Sequence, residues 1–523
     1  MAPSAKEEVV GSATHVGDEE IAKPVRNEYL LPKPESIANM SDEDLGTLRK
    51  KMVRKMDMVI MPIMGILYIL NYVDRSALAA TKVYGIMEDL NMTTAQFATA
   101  ITFLFIGYIP FQIPSNLIMT KVTRPGLYIC SAATVWGAVS ASTAAVKTYH
   151  TLLVVRVFLG VTEAVFFPGV IYFLSAWYTK QELGKRLAAL YVFQMIGSAF
   201  GGFIAAACLT LDGRHGIAGW RWLFIVEGVV TIGCGLIFAM IMPEYPHNAR
   251  LLKPVERDFA VWRLECEAGA GEANEDTTAL GGLKEALLDI KIWALVWCMF
   301  MSQAMGSTNN FFPSIVETLG YNKMNTMLLT APPFIFAAII FWVVSYLSDR
   351  KNIIYPVFVG LLSMACVAYI IPLATTSTAG RYVAMMLMPA SSTLTRYRFS
   401  KMRSLKLTRA ALAGPQILLF KTLNLHMARP YPKRAAGVAM INALGGLANL
   451  WSSYLYYNPP AYYTAFGTVL ACTVVFFITI TIYRWNVRRL NNLLDGSPED
   501  QRKAMKSGVT QQQVDLGWRY IGF

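Results

Sequence analysis

The sequence predicts an all-α membrane protein with about twelve transmembrane helices. Of its 523 residues, 54% are hydrophobic and only 15% are charged, which is too apolar for a soluble chain of this length. The apolar residues also lie in runs of about twenty, the length that a helix needs to cross roughly 30 Å of hydrocarbon. Composition and run length together indicate a polytopic membrane protein.

The apolar runs fall into two groups of six, separated by a polar stretch. The first group lies near residues 57–80, 95–118, 125–146, 150–177, 186–210 and 220–242. The second group lies near residues 290–314, 326–347, 353–373, an interrupted run from 382, 435–457 and 461–484. The expected units are an N-terminal tail, a first half, a linker, a second half and a C-terminal tail, over residues 1–56, 57–242, 243–289, 290–485 and 486–523.

The distribution of basic residues predicts that both tails and the linker are cytosolic. Lys and Arg are frequent before the first run and after the second and fourth runs, and the opposite loops are poorer in them, apart from Arg214 and Arg221. A charged helix around residues 255–264 of the linker is then expected to be solvated. Asn91 begins the glycosylation sequon Asn91-Met92-Thr93, which this topology places outside, whereas the sequon at Asn39 lies inside. We expect the plasma membrane as the location.

The sequence lacks the motifs of several functional classes. The seven cysteines are scattered without a Cys-x-x-Cys pair, so we expect neither a disulfide framework nor a metal site. There is no phosphate-binding loop, no His-Glu-x-x-His and no nucleophile elbow. We therefore expect no enzyme activity, no cofactor and no nucleic-acid partner, and any transport must draw on gradients across the lipid bilayer.

Four ionisable residues stand out within the apolar runs of the first half. Asp74 and Arg75 are in the first run, and Arg156 and Glu163 are in the fourth. A charge at membrane depth costs about 2.5–3.5 kcal/mol even on insertion scales, so it usually faces the protein interior. Asp74 and Arg156 fall at a similar depth, so Asp74 can neutralise either Arg156 or Arg75, and the other arginine is left to bind an anion. Glu163 lies two helical turns beyond Arg156 and is expected to face a central cavity.

These residues predict a device that couples anions to protons. A buried carboxyl beside an arginine can change its protonation state when its partner or the substrate leaves. Asp74 and Glu163 are the proton-coupling candidates, and Arg75 and Arg156 are the anion-binding candidates. The alternative is a static buried network that holds the helices together.

Other polar residues in the runs could line a substrate cavity or bond a neighbouring helix. These candidates are Tyr72, Gln194, Asn309, Asn310, Asn424 and Asn442.

Several motifs resemble a known family. The segment from Ser345 to Lys351, with Asp349 and Arg350, resembles the Gly-x-x-x-Asp-Arg loop motif of the major facilitator superfamily, although Ser345 replaces the glycine. Three further motifs are similar to the anion:cation symporter family and its fungal allantoate permease branch. They are Asn71-Tyr72-Val73-Asp74-Arg75, the run Arg156 to Glu163 with Phe167-Pro168-Gly169, and Gly219-Trp220-Arg221-Trp222 leading to Glu227-Gly228.

The resemblance implies two six-helix halves related by an axis along the membrane normal, and transport by alternating access. It also implies that Asp349 and Arg350 latch neighbouring helix ends and that Glu227 is structural. The function expected is proton-coupled uptake of a small organic anion by a monomer. An exporter of a secondary metabolite or drug on the same fold, or a nutrient receptor that binds without transporting, stays open as an alternative.

The tenth run is interrupted by residues 390–411, which contain six bases and no acid. The bases are Arg396, Arg398, Lys401, Arg403, Lys406 and Arg409. Six bases in hydrocarbon would cost roughly 15 kcal/mol if the insertion penalties simply added. Without this stretch, residues 382–389 and 412–428 join into one run of membrane length, with Lys421 as its only charge. We therefore hypothesise a foreign insertion, most simply an unspliced intron; the alternative is a genuine basic loop outside the bundle.

Sequencing the transcript across residues 390–411 tests this hypothesis. We expect mature messenger that lacks these codons, because an insertion inside a spanning helix is not tolerated. Mature messenger that retains all of them, in a protein that still transports, would show that the stretch is a genuine loop.

Overall fold

The computed structural model describes residues 32–272, 279–351, 355–392, 431–459 and 461–506. These residues form helices connected by short turns, with no β-strand among them. Short 3₁₀ helices cover Glu35–Ile37, Thr143–Ala145, Arg214–Gly216, Pro246–Asn248, Ser307–Phe311 and Ser453–Leu455.

The described residues of the first half and the linker contain ten α-helices. They are α1 (Asp42–Val83), α2 (Ile86–Asp89), α3 (Thr94–Lys121), α4 (Pro125–Ser142), α5 (Tyr149–Glu163), α6 (Phe166–Ser175), α7 (Lys180–Leu209), α8 (Gly219–Ile241), α9 (Pro254–Glu272) and α10 (Ala279–Leu288).

The described part of the second half and C-terminal tail contains nine more. They are α11 (Ile290–Gly306), α12 (Phe312–Glu317), α13 (Lys323–Lys351), α14 (Tyr355–Ala374), α15 (Thr378–Ser392), α16 (Tyr431–Gly446), α17 (Ala448–Ser452), α18 (Tyr463–Leu494) and α19 (Pro498–Lys506).

The helices coincide with the predicted apolar runs, and this confirms the all-α membrane fold. Among the described residues, eight helices are long and apolar enough to cross a membrane. The other runs coincide with shorter or broken helices, such as α11 and α12, which a 3₁₀ turn separates. The tenth run begins with α15, and most of the suspected insertion, residues 393–411, lies outside the described residues.

Local sequence signals fix where the helices begin. Ser41 caps α1, its Oγ accepting a hydrogen bond from the Asp44 amide at 3.2 Å. Thr93 forms a reciprocal capping box with Gln96 at the start of α3. Such caps satisfy amide groups that have no partner within the helix.

Backbone contact between α3 and α5 positions two of the predicted charges. A side chain on Gly160 of α5 would collide with the Leu104 carbonyl oxygen of α3, and Gly107 of α3 lies equally close to the backbone of α5. Small residues allow this approach, which is how helices pack where lipid removes the hydrophobic driving force. Gly160 lies between Arg156 and Glu163, so the contact fixes the helix that carries both.

The linker helix α9 is docked on the first half, and the expectation of a solvated helix was wrong. Phe259 and Trp262 are buried. The Arg263 Nη1 lies 2.9 Å from Glu182 Oε2, and the Lys55 Nζ lies 2.8 Å from Glu256 Oε2. The sequence does carry the signal, because the apolar residues recur at the three-residue spacing of one helix face.

Burial raises the pKa of Glu256, but hydrogen bonds from Lys55 and from the Lys253 amide outweigh it, so the pKa lies below its usual value. Glu256 is therefore ionised at neutral pH, and its ion pair with Lys55 weakens only as the pH falls through the lowered pKa.

The two halves contact each other through side-chain hydrogen bonds. The Asn442 Nδ2 of α16 donates to Gln112 Oε1 of α3 at 2.9 Å. The hydroxyls of Thr99 and Tyr454 lie 3.0 Å apart, near the end of the bundle where α3 begins. These contacts join the two halves beside the space between them.

Asn91 is exposed in the turn before α3, so the predicted glycosylation site is open to a transferase if this end of the bundle is extracellular. Expressed in yeast, the protein is expected to lose mass on endoglycosidase treatment, and Asn91→Gln is expected to abolish that shift. Asn39→Gln is the matched control and should leave the shift unchanged. A glycan on Asn39 instead would reverse the topology.

Candidate functional site

A cavity of about 240 Å³ lies between the two halves. The only charged side chains among the described residues that line it are Arg75 and Arg156, and no acidic side chain lines it. The rest of its wall consists of aromatic, amide, hydroxyl and apolar side chains. A pocket with two guanidinium groups and no lining carboxylate favours an anion.

Arg75 is paired with the predicted acid of α5. Its Nε lies 2.7 Å from Glu163 Oε2, and the Glu163 side chain is fully buried while Arg75 is 21% exposed. The guanidinium also lies over the Tyr108 ring, 4.6 Å from the centroid. Glu163 does not line the cavity, contrary to expectation. It lies behind Arg75, where its carboxylate is paired with the guanidinium.

Asp74 makes no ion pair with either arginine, although both pairings were considered from the sequence. Trp136 Nε1 donates to Asp74 Oδ2 at 2.8 Å, and Ser140 Oγ donates to Oδ1 at 2.9 Å. Both donors lie on one face of α4. Successive helical residues point about 100° apart, so Asp74 faces α4 while Arg75 faces the cavity and α5.

Arg156 is almost completely buried, with 1% exposure, but it has no hydrogen-bonded partner among the described residues. Its Nε and Nη2 are both unsatisfied. The guanidinium lies 5.6 Å from the Phe224 ring centroid and feels the charges of Glu163, Asp74 and Glu227 without contacting any of them. Asp74 and Arg156 therefore interact through space only.

Five of the six predicted cavity residues line the cavity. They are Tyr72, Gln194, Asn309, Asn310 and Asn442. The sixth, Asn424, lies outside the described residues, and the side chains of the latch candidates Asp349 and Arg350 are also outside the described part.

Sequence reasoning missed other polar residues of the wall, namely Tyr68, Asn71, Tyr108, Gln112, Gln303 and Asn449. Asn71 could have been found, because it is one helical turn before Arg75 and so shares its face. Gln112 and Gln303 are amides inside apolar runs, a signal equal to that of Gln194. Among the described residues, no group of three His, Cys, Asp or Glu side chains could hold a metal ion.

The fold and the cavity define a class of protein: a membrane transporter built from two helical halves around a central binding space. A family model described as the Major Facilitator Superfamily matches residues 64–399. The chain belongs to this superfamily, whose members are transporters and not enzymes.

Curated relatives and solved structures agree with this assignment. An uncharacterised transporter of Schizosaccharomyces pombe is 31% identical over 461 residues, covering 87% of this chain and 90% of the relative. The high-affinity nicotinic acid transporter of Saccharomyces cerevisiae is 27% identical over 337 residues, covering 63% of this chain and 62% of that protein.

Among solved structures, an inward-facing bacterial homologue of the human lysosomal transporter Spinster superposes with a TM-score of 0.58 at 15% identity. The match covers 86% of this chain and 98% of that one. The xylose transporter XylE of Escherichia coli superposes with a TM-score of 0.57 at 13% identity, covering 80% of this chain and 96% of that one. These likenesses confirm the two-half fold.

Proposed function

We propose that the chain imports a small organic carboxylate together with protons by alternating access between its two halves. The observation that carries this proposal is the charge of the central cavity, where Arg75 and Arg156 are the charged lining residues of the described part. A bound carboxylate would supply the hydrogen-bond acceptors that the buried Nε and Nη2 of Arg156 lack.

The side chains that the second half contributes to the cavity favour an anion with a neutral polar end. The second half contributes amide side chains to the cavity, including Gln303, Asn309 and Asn442, and no charged side chain among its described lining residues. Amides can donate to and accept from a carbonyl, hydroxyl or ring nitrogen, but they do not neutralise a second charge. The aromatic rings of Tyr68, Tyr72 and others suit a flat apolar body.

The proton coupling is argued from Glu163. Its carboxylate contacts one side of the Arg75 guanidinium. Glu163 therefore competes with any anion for Arg75. A proton on Glu163 would release Arg75 for the substrate, so that proton and anion bind together. The relative named for nicotinic acid, a small aromatic carboxylic acid, is consistent with this substrate class.

The proposal also covers the location of the termini, the membrane, the oligomeric state and the family branch. We place both termini in the cytosol, the transporter in the plasma membrane as a monomer, and membership in the anion:cation symporter family and its allantoate permease branch. The Asn71 to Arg75 motif and the Arg156 to Glu163 run support that branch.

Uptake by a transporter-deficient yeast strain tests the substrate class. We expect accumulation of labelled nicotinate or another monocarboxylate at acid outside pH, and no competition by nicotinamide, which has the same ring without the charge. Arg75→Gln is expected to lower uptake about tenfold or more, because it removes half of a buried charge pair that also binds the anion.

Glu163→Gln separates coupling from binding in the same assay. The amide cannot carry a proton cycle, so we expect loss of accumulation driven by the pH gradient while exchange of internal for external substrate persists. Unchanged pH-dependent uptake in this variant would make the Arg75–Glu163 pair a static contact. Efflux or secretion phenotypes without uptake would indicate an exporter, and binding without flux would indicate a receptor.

A further inference from the structure

We infer that Glu227 of α8 is a third proton-carrying residue of this site and that it competes with the substrate anion for Arg156. The inference rests on the proposed function, because it assigns a coupling role within the same group of buried charges. The sequence resemblance had suggested only a structural role for Glu227.

Close packing holds Glu227 inside the charged cluster of the first half. The next residue, Gly228, lies against α4 so closely that a side-chain carbon there would be 2.6 Å from both the Ala141 Cβ and the Gly137 carbonyl oxygen. This contact fixes α8 against the helix whose Ser140 and Trp136 bind Asp74. Glu227 is 3% exposed at this position.

Glu227 and Arg156 are both unsatisfied in the same cluster. Neither carboxyl oxygen of Glu227 has a hydrogen-bond partner among the described residues, and neither do Nε and Nη2 of Arg156. The two side chains feel each other electrostatically without touching. A buried acceptor and a buried donor that both lack partners within one charged cluster indicate a second arrangement in which they meet.

The groups around Glu227 determine where a proton belongs. Asp74 of α1 and Arg156 of α5 are the charged groups that interact with it. Tyr84, which follows α1, and Cys208 of α7 are the neutral titratable groups, and α4 presents no charged side chain to it. With Glu163 and Arg75 included, the cluster holds three acids and two bases, so full ionisation leaves one excess negative charge.

That excess charge is least tolerable on Glu227. Asp74 accepts two hydrogen bonds and Glu163 contacts Arg75, and both interactions stabilise the ionised form. Glu227 has no such donor, and an ionised carboxylate buried without a partner is strongly disfavoured. In this arrangement the balancing proton belongs on Glu227.

Arg156 then has two alternative partners, the Glu227 carboxylate and an anion in the cavity. While Glu227 carries its proton, Arg156 has no competing carboxylate on that side and can bind an anion in the cavity that it lines. When Glu227 loses the proton, its carboxylate attracts Arg156 away from the anion. Proton and anion therefore bind and leave together, as symport requires.

Binding of labelled nicotinate to the purified full-length protein, measured from pH 5 to pH 8, tests the coupling. For the wild type we expect affinity to fall as the pH rises, and Glu227 contributes about tenfold for each pH unit above its protonation midpoint, the slope of one linked proton. Glu227→Gln mimics the protonated acid and should remove that contribution, which leaves the pH dependence due to Glu163. The exposed surface variant Glu499→Gln is the matched control and should follow the wild type.

An identical pH dependence in Glu227→Gln and the wild type would overturn the inference and leave Glu227 structural. If the wild type binds no nicotinate at any pH, it is the choice of substrate in the proposed function that fails, and a measurement without ligand decides the inference.

Infrared titration supplies that measurement and does not require the Gln variant to fold. Glu227→Asp should shift one infrared band of a protonated carboxyl, and this shift assigns the band to Glu227. Arg156→Gln should raise the pH at which the same band disappears, because it removes a positive charge that favours the carboxylate. Absence of a shifted band, or an unchanged disappearance pH without Arg156, would overturn the inference.

Discussion

The ion pair between Arg75 and Glu163 is the interaction on which the rest of the site depends. It joins α1 to α5 at 2.7 Å, with the carboxyl fully buried. Removing one member of such a pair typically costs about 3–5 kcal/mol, because it leaves an uncompensated charge in a medium that solvates it poorly. The pair therefore fixes both helices and sets how much positive charge reaches the cavity.

Close packing of the surrounding helices positions these charges. Lipid supplies no hydrophobic force between helices, so α3 approaches α5 through Gly107 and Gly160, and α8 approaches α4 through Gly228. Each close contact lies within one helical turn of a buried charge. The charges themselves are distributed unequally, with acids behind the wall and the two arginines on its surface. In the proposed mechanism, acids behind the wall can take up protons without repelling an anion in the cavity.

Much of the fold could be predicted from hydropathy, because the length of an apolar run is a direct response to the thickness of the bilayer. The site could be predicted as a set of residues, since charges at membrane depth are rare. Their pairing could not. Asp74 was expected to meet an arginine, but its partners are Trp136 and Ser140, which look like ordinary members of an apolar run. The family resemblance implied only a structural role for Glu227, because a sequence motif does not show that both carboxyl oxygens lack a donor.

The central claim is that anion movement and proton movement share these buried charges. The most direct measurement is the proton flux that accompanies uptake of labelled nicotinate into liposomes that contain the purified protein and an internal pH indicator. We expect the interior of the liposomes to acidify as the anion enters, with about one proton or more for each carboxylate. Anion uptake with no change in internal pH would contradict it.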